Sequence, residues 1–301
     1  MNILSSNDWK KEEIQKLFDF TDNLDSLDTS IFNDKILVNA FFEPSTRTSL
    51  SFECAMKRLG GNVITFNSTS SSLNKGESFE DTISTLSLYG DIMVIRHPEK
   101  DKVKYASNIS KIPIINGGDG NGEHPSQALL DLYSIYKKFG NNFKTKTILF
   151  IGDIKNSRTI HSLINLLNLY PNMKIHFYPY NNDLYPNDDL VNKISKIHSQ
   201  NKKTIIISEL DNNNYSNYDI VYCTRLQKER SDNKIITIND KFIINNEKAE
   251  QFKKDMIIMH PLPRNKELSI DVDNNHRCYY FKQMEYGIQL RMGLFYYMIN
   301  K

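Results

Sequence analysis

The stretch FFEPSTRTSLSFE, residues 41–53, decides how the first half of this sequence is expected to fold. An apolar run of strand type stops at Glu43 and Pro44, and a helical pattern of apolar residues begins at once. The turn between them carries side chains that can each bind an anion: Ser45, Thr46, Arg47 and Thr48. Helix N-termini and guanidinium groups both suit phosphate. Taken alone, the turn is explained equally well by an N-cap followed by a solvated arginine.

Strand-type runs and helical patterns alternate along the 301 residues. Strands are predicted at 35–42, 62–67, 91–96, 112–116, 146–152, 173–178, 204–208, 219–224 and 255–259. Helices are predicted at 46–59, 79–89, 124–139, 156–169 and 187–200. Continuous apolar runs between helices favour parallel sheets that are covered on both faces. The predicted fold class is therefore α/β, with two domains that each contain a mostly parallel sheet flanked by helices.

The polar stretch KKFGNNFKTK indicates where one domain ends and the next begins, near residues 133–145. The end of the sequence, MEYGIQLRMGLFYYMIN, predicts a mostly apolar helix that packs back on the first domain. The first residues show no apolar core of a signal peptide. They predict instead an amphipathic helix led by Ser6 and Asn7.

The composition excludes several classes of protein. Hydrophobic residues make up 39% and charged residues 25%, and the net charge is only +2. These values are typical of a soluble globular protein, and they give no reason to expect nucleic acid or a membrane as a partner. Cys54, Cys223 and Cys278 lie far apart without a CxxC motif. Reduced thiols, a cytoplasmic location and no metal site are therefore expected.

Further polar clusters follow predicted strands, which is where open α/β sheets bind their ligands. In the first half, Arg96 ends one predicted strand, and His124 and Gln127 follow the glycine-rich NGGDGNG. The serine-rich loop STSSSLNKGES, 68–78, adds Lys75 as the cation of a mobile flap. A surface arginine, a structural histidine and an ordinary loop are the alternatives when each cluster is taken alone.

The second half carries clusters of the same kind. They comprise Arg158 and Thr159, then Arg225, Gln227 and Arg230, and finally the turn Pro261-Leu262-Pro263 with His260 and Arg264. Prolines on both sides of Leu262 restrict the backbone, so that the turn can present carbonyl oxygens as acceptors. Neither GxGxxG nor GxxxxGK[ST] occurs in the sequence, so nothing indicates a standard nucleotide-binding motif.

Together these segments resemble the aspartate carbamoyltransferase catalytic chains. The matching pieces are FFEPSTRTSLSFE, SLNKGES, RHP, GDGNGEHPSQALLDL, GDIKNSRTIHSL, TRLQKER and HPLPR, with the YFKQMEYGIQLRMGLF tail. The resemblance implies that residues 1–133, with helix 285–301, bind carbamoyl phosphate and that residues 134–284 bind aspartate. It places the active site at the C-terminal ends of the strands, between the domains.

The activity that the resemblance implies is transfer of the carbamoyl group of carbamoyl phosphate to the α-amino group of L-aspartate, in pyrimidine biosynthesis. The family needs no metal, cofactor or covalent nucleophile for this reaction, and none is expected here. The implied assembly is a homotrimer with shared active sites. Whether a regulatory chain or other enzymes of the pathway join the trimer is left open.

The resemblance also implies a role for each matching residue. The phosphate is expected to contact Ser45, Thr46, Arg47, Thr48 and Arg96, with Arg47 stabilising its departure. The carbamoyl oxygen is expected to be polarised by Thr48, Arg96 and His124, and the amide to contact Gln127 and the carbonyls of Pro261 and Leu262. Aspartate is expected to contact Arg158, Thr159, Arg225, Gln227 and Lys75. The neighbouring subunit is expected to supply Lys75 and Ser71, with the register of Ser70–Ser72 ambiguous. Domain closure is expected to pair Glu43 with Arg158 and Arg230.

Three alternatives compete with this assignment. An ornithine carbamoyltransferase shares the phosphate turn, but it should carry an HCLP turn and an SMG loop where this sequence has HPLPR and TRLQKER. A catalytically inert relative that acts as a scaffold is the second alternative, and the retained polar residues argue against it. Nucleic-acid binding is the third, and the sequence shows no basic stripe to support it.

Overall fold

The computed structural model describes residues 1–188, 190–192, 194, 204–206, 215–227 and 238–300. The chain divides into two compact units. Unit 1 comprises Met1–Tyr133 and Glu285–Lys301, and unit 2 comprises Ser134–Met284. Each unit contains its own parallel β-sheet.

The sheet of unit 1 has the strand order β2-β1-β3-β4. Its strands are β1 Ile36–Phe41, β2 Asn62–Asn67, β3 Ile92–His97 and β4 Ile114–Asp119. The helices of unit 1 are α1 Lys11–Asp22, α2 Arg47–Arg58, α3 Phe79–Leu86, α4 Lys102–Ser107, and most of α5 Pro125–Phe139 and of the C-terminal helix Tyr280–Ile299. β1, β3 and β4 are buried along most of their length, as the strands of a parallel sheet covered on both faces should be.

Aromatic contacts hold the C-terminal helix in unit 1. Phe295 packs on Phe52 of α2, with ring centroids 5.9 Å apart. Tyr297 lies 5.6 Å from Trp9, which is buried. These contacts join the two separate stretches of sequence that form unit 1.

The sheet of unit 2 has the strand order β7-β6-β5-β8-β9. Its strands are β5 Thr147–Gly152, β6 Lys174–Pro179, β7 Thr204–Ile206, β8 Ile220–Cys223 and β9 Ile257–Met259. The helices with described limits are α6 Arg158–Leu167 and a short helix Asn246–Glu250. One buried cluster includes Leu149, Tyr178, Val221, Phe242 and Ile258.

The α/β fold class predicted from the sequence is confirmed, because both sheets are parallel and helices alternate with the strands. The predicted helix 187–200 and strand 204–208 lie partly outside the described residues. The helices Lys102–Ser107 and Asn246–Glu250 were not predicted. In the described residues no helix has both the length and the apolar character needed to cross a membrane.

The predicted start of the first helix is wrong. α1 begins at Lys11, and the backbone N–H of Lys10 donates to Glu13 Oε2 at 3.1 Å. Ser6 does not cap this helix, because its backbone N–H and its hydroxyl both donate to Glu123. The residues before α1 therefore serve a long-range contact with the loop that precedes α5.

Candidate active site

The turn Ser45–Thr48 lies between the carboxyl end of β1 and the start of α2. Thr46 is the N-cap residue, and its side chain makes no capping hydrogen bond within the described part of the chain. The first turn of α2 carries no acidic residue. Thr46 and Arg47 are exposed, whereas Thr48 is buried. The positive end of the helix dipole and a guanidinium thus lie together, as an anion-binding turn requires.

Strand pairing brings Arg96 to the same edge of the sheet. β1 and β3 run parallel with Phe41 opposite Arg96, and the backbone N–H of Phe42 donates to the carbonyl of Arg96 at 2.8 Å. Arg96 Nε donates to Glu43 Oε1 at 2.6 Å. Glu43 therefore orients Arg96 in this structure. Arg230, which was expected to pair with Glu43, lies outside the described residues.

His97, the next residue of β3, contributes packing and no charge. Its ring lies 5.3 Å from the rings of Phe42 and Phe79, and Nδ1 accepts the backbone N–H of Glu99 at 3.0 Å. The proton of the neutral ring is therefore on Nε2. Burial lowers the pKa of His97 below its ordinary value of 6.5.

β4 delivers His124 and Gln127 to the start of α5, and both side chains are buried. The carbonyl of His124 accepts the backbone N–H of Gln127 at 3.0 Å, which sets the two residues one turn apart. The Ser126 hydroxyl lies 3.4 Å from His124 Nδ1 and donates to the carbonyl of Asn116 at 3.1 Å. Since β4 pairs with β3, these groups share the carboxyl edge of the sheet with Arg96.

Three adjacent strands of unit 2 end in the remaining predicted loops. β5 precedes Arg158 and Thr159, β8 precedes Arg225 and Gln227, and β9 precedes Pro261 and Leu262. Arg158 is buried at the first position of α6. Arg225 Nη1 donates to the carbonyl of Leu226 at 3.1 Å, and Gln227 Nε2 donates to the carbonyl of Arg225 at 3.2 Å. The structure thus gathers these predicted residues at one edge of one sheet.

Asp153 joins two of these loops, and the sequence interpretation missed it. Its buried carboxylate accepts the backbone N–H of Asn156 at 3.1 Å and that of Gln227 at 3.0 Å. The loops approach closely at Gly152, where a Cβ would lie 2.3 Å from the carbonyl oxygen of Thr224. Gly152 also has a φ of +128°, which favours glycine. The available signal was an acidic residue directly after a strand.

The turn after β9 is held by a buried histidine. His260 Nδ1 accepts the backbone N–H of Leu262 at 2.8 Å, so Nε2 carries the proton and donates to Glu267 at 3.0 Å. Burial by itself would raise the pKa of Glu267, but hydrogen bonds from His260 and Asn265 outweigh it and lower that pKa. Leu262 has a φ of +53°. The His260–Glu267 pair therefore fixes the backbone that carries the Pro261 and Leu262 carbonyls.

The serine-rich loop follows β2, an edge strand of unit 1. Ser71 Oγ donates to the carbonyl of Ser68 at 2.9 Å and accepts from the backbone N–H of Leu73, while Lys75 is exposed. The Ser70 side chain lies outside the described part of the structure, so the register of the Ser70–Ser72 contact stays a prediction. Among the side chains that the structure describes, no group of three His, Cys, Asp or Glu could hold a metal ion.

In each unit, polar loops follow the carboxyl ends of the parallel strands, which is the arrangement of α/β proteins that bind small ligands at those ends. Residues 1–137 match the family described as aspartate/ornithine carbamoyltransferase, carbamoyl-P binding domain, and residues 144–298 match its Asp/Orn binding domain. The chain belongs to the aspartate/ornithine carbamoyltransferase family. The resemblance drawn from the sequence motifs is thereby confirmed.

Individual relatives show how far the similarity extends. The chain is 42% identical over 304 residues to the aspartate carbamoyltransferase catalytic subunit of Methanocaldococcus jannaschii, a match that covers 97% of this chain and 96% of that one. It is 45% identical over 263 residues to the multifunctional protein ura1 of Schizosaccharomyces pombe, covering 86% of this chain but only 12% of that protein. Aspartate transcarbamoylase from Trypanosoma cruzi, in complex with carbamoyl aspartate and phosphate, has a TM-score of 0.90 at 35% identity, covering 98% and 94% of the two chains.

We expect the imidazole of His97 to titrate below pH 6.5, because burial disfavours its charged form. The unfolded chain then binds the proton first, so the free energy of unfolding should fall as the pH falls below 6.5. An NMR titration of the ring protons measures the midpoint, with His97→Gln to assign the signal and the chain in urea as the reference. A midpoint at or above the urea value would contradict the buried, neutral ring.

Proposed function

We propose that this chain transfers the carbamoyl group of carbamoyl phosphate to the α-amino group of L-aspartate, giving N-carbamoyl-L-aspartate and phosphate in pyrimidine biosynthesis. The observation that carries the choice of aspartate is the pair Arg158 and Arg225, on loops that the Asp153 carboxylate joins. Two guanidinium groups suit a dicarboxylate. They would repel the side-chain ammonium of ornithine.

The phosphate end of carbamoyl phosphate is assigned to the anion-binding turn. The proposed contacts are Ser45, Thr46, Arg47, Thr48 and Arg96. Two observations support this assignment. Within the described residues, the Thr46 side chain makes no capping hydrogen bond at the start of α2, and the strand register sets Arg96 beside the turn. Arg47 stabilises the charge of the departing phosphate, since its guanidinium can form parallel hydrogen bonds with phosphate oxygens.

The reaction forms a bond between the aspartate nitrogen and the carbamoyl carbon, and then breaks the bond from that carbon to the phosphate oxygen. Negative charge develops on the carbamoyl oxygen, where Thr48, Arg96 and His124 are the proposed donors. Each donor of this kind is worth roughly 10²–10³ in rate. Gln127 and the carbonyls of Pro261 and Leu262 hold the amide, and correct positioning of both substrates supplies much of the remaining acceleration.

Arg158, Thr159, Arg225 and Gln227 are the proposed contacts to the two carboxylates of aspartate. Their support is the position of all four at the ends of β5 and β8. Glu43 and Arg230 are proposed to act in domain closure, which positions the second substrate. Glu43 then has two roles, since it also pairs with Arg96.

The proposed assembly is a homotrimer in which Ser71 and Lys75 reach the site of a neighbouring subunit. The loop that carries them follows an edge strand, and exposed apolar side chains, Leu50 and Ile64, lie on the flanking elements α2 and β2. Such surfaces suit contact with another chain. A cytoplasmic location is part of the proposal, and the free thiols of Cys54, Cys223 and Cys278 are consistent with a reducing compartment.

The proposed substrate is tested by assaying the purified chain with carbamoyl phosphate and either aspartate or ornithine. We expect carbamoylation of aspartate, with ornithine at least about 10²-fold less effective in kcat/KM, because a guanidinium pair cannot hold an ammonium group. Product formation with ¹⁴C-carbamoyl phosphate is the measurement. Faster turnover with ornithine would reverse the substrate assignment, and turnover with neither would support the inert relative.

The proposed sharing of sites is tested by mixing two inactive variants, Lys75→Ala and His124→Ala. After unfolding and joint refolding, random assembly into closed trimers should restore about one site in four, and therefore about a quarter of wild-type activity. The matched control mixes Arg47→Ala with His124→Ala, which affect residues of the same chain and should remain inactive. A verified mixed trimer of the first pair that stays inactive would show that each chain supplies its own Lys75.

A further inference from the structure

Behind Gln127 lies a buried set of polar side chains to which the proposed reaction assigns no role. Gln127 Nε2 donates to Asp131 Oδ1 at 2.8 Å, one turn further along α5. Arg291 of the C-terminal helix is close enough for its charge to act on Asp131. The exposed fractions of Gln127, Asp131 and Arg291 are 6%, 0% and 3%. Burying three polar side chains costs free energy unless they form hydrogen bonds or charge pairs with one another.

Contacts within unit 1 hold the Arg291 side chain in place. Arg291 Nη1 donates to the carbonyl of Gly287 at 2.9 Å, and its guanidinium lies 4.7 Å from the ring centroid of Phe52. A Cβ at Gly287 would lie 2.8 Å from Nη1, so the glycine makes room for the arginine. Burial lowers the pKa of Arg291 to about 10, while the charge of Asp131 acts in the opposite direction. Arg291 therefore stays positive at neutral pH.

A positive neighbour favours the ionised form of Asp131. An ionised carboxylate only accepts hydrogen bonds, whereas the amide of glutamine has one accepting and one donating end. Gln127 must therefore turn its NH₂ group toward Asp131. Its Oε1 atom then points to the opposite side, as an acceptor whose direction is determined by the buried charges.

From this geometry we propose that Asp131, which accepts from Gln127 and lies within reach of the charge of Arg291, is a positioning residue that makes Gln127 select an acyl phosphate with an N–H group on the acyl carbon. The inference rests on the proposed function, in which Gln127 contacts the amide of carbamoyl phosphate. The NH₂ group of carbamoyl phosphate can donate to Oε1. The methyl group of acetyl phosphate has a similar size but offers no donor, and it leaves that acceptor unpaired.

The measurement is the ratio of kcat/KM for carbamoyl phosphate to kcat/KM for acetyl phosphate, with aspartate as the acceptor in both assays. Asp131→Asn removes the charge with little change in shape. The new amide should turn its oxygen toward Arg291, which has only donors, and its NH₂ group toward Gln127. Gln127 then reverses, and we expect the ratio to fall on the order of 10-fold, because one substrate loses a hydrogen bond that the other never made.

Two comparisons separate positioning from general stability. Tyr133→Phe is the matched control, since Tyr133 also lies on α5 and its hydroxyl donates to Asp22 at 2.8 Å. It should leave the ratio at the wild-type value. In a Gln127→Ala background, adding Asp131→Asn should change the ratio less than about 2-fold, because the residue through which Asp131 acts is gone.

Arg291→Gln examines the same set of residues if Asp131→Asn does not fold. Without the cation, buried Asp131 becomes neutral and can donate to Gln127, so the ratio should fall here too. A wild-type ratio in every folded variant, with both activities reduced alike, would overturn the inference and leave Asp131 a structural residue. Absence of wild-type turnover with carbamoyl phosphate would instead contradict the proposed function itself.

Discussion

The parallel pairing of β1 with β3 is the contact on which the rest of the proposed phosphate-binding edge depends. It sets Phe41 opposite Arg96, so that the strand end carrying Arg96 lies beside the turn Ser45–Thr48. A register shift of one residue would turn Arg96 to the other face of the sheet. The 2.6 Å ion pair of Arg96 with Glu43 also requires this register. The proposed anion site is therefore a product of sheet geometry more than of the turn alone.

The fold class could be predicted because the strands buried on both faces are continuous apolar runs, as β5 and β8 show. The order of the strands could not be predicted, because strand pairing depends on crossover connections that local sequence patterns do not reveal. The helix Lys102–Ser107 is too short to show a helical period. The start of α1 was misplaced because serine is a common N-cap residue of helices. The actual partner of Ser6, Glu123, lies far away in sequence.

The candidate site, like the fold, could be predicted only in part. Arginines and histidines that follow strands could be found, because their chemical types and positions are visible in the sequence. The residues that position these side chains could not be found from the sequence. Asp153 accepts the backbone N–H of Gln227, and Asp131 accepts from Gln127 with the charge of Arg291, on the C-terminal helix, close by. Such acidic residues lack a spacing pattern, since their partners are brought close only by tertiary packing. The supporting layer of the site is thus the part that required the structure.

In the proposed complex, carbamoyl phosphate binds with its phosphate on the β1–α2 turn and its amide on α5. A crystal structure of this protein with carbamoyl phosphate would locate both groups. We expect phosphate oxygens within hydrogen-bonding distance of Arg47 and of the backbone N–H groups at the start of α2, with the amide nitrogen facing Gln127. A phosphate bound away from this turn, with Arg96 still paired to Glu43, would contradict the proposed complex.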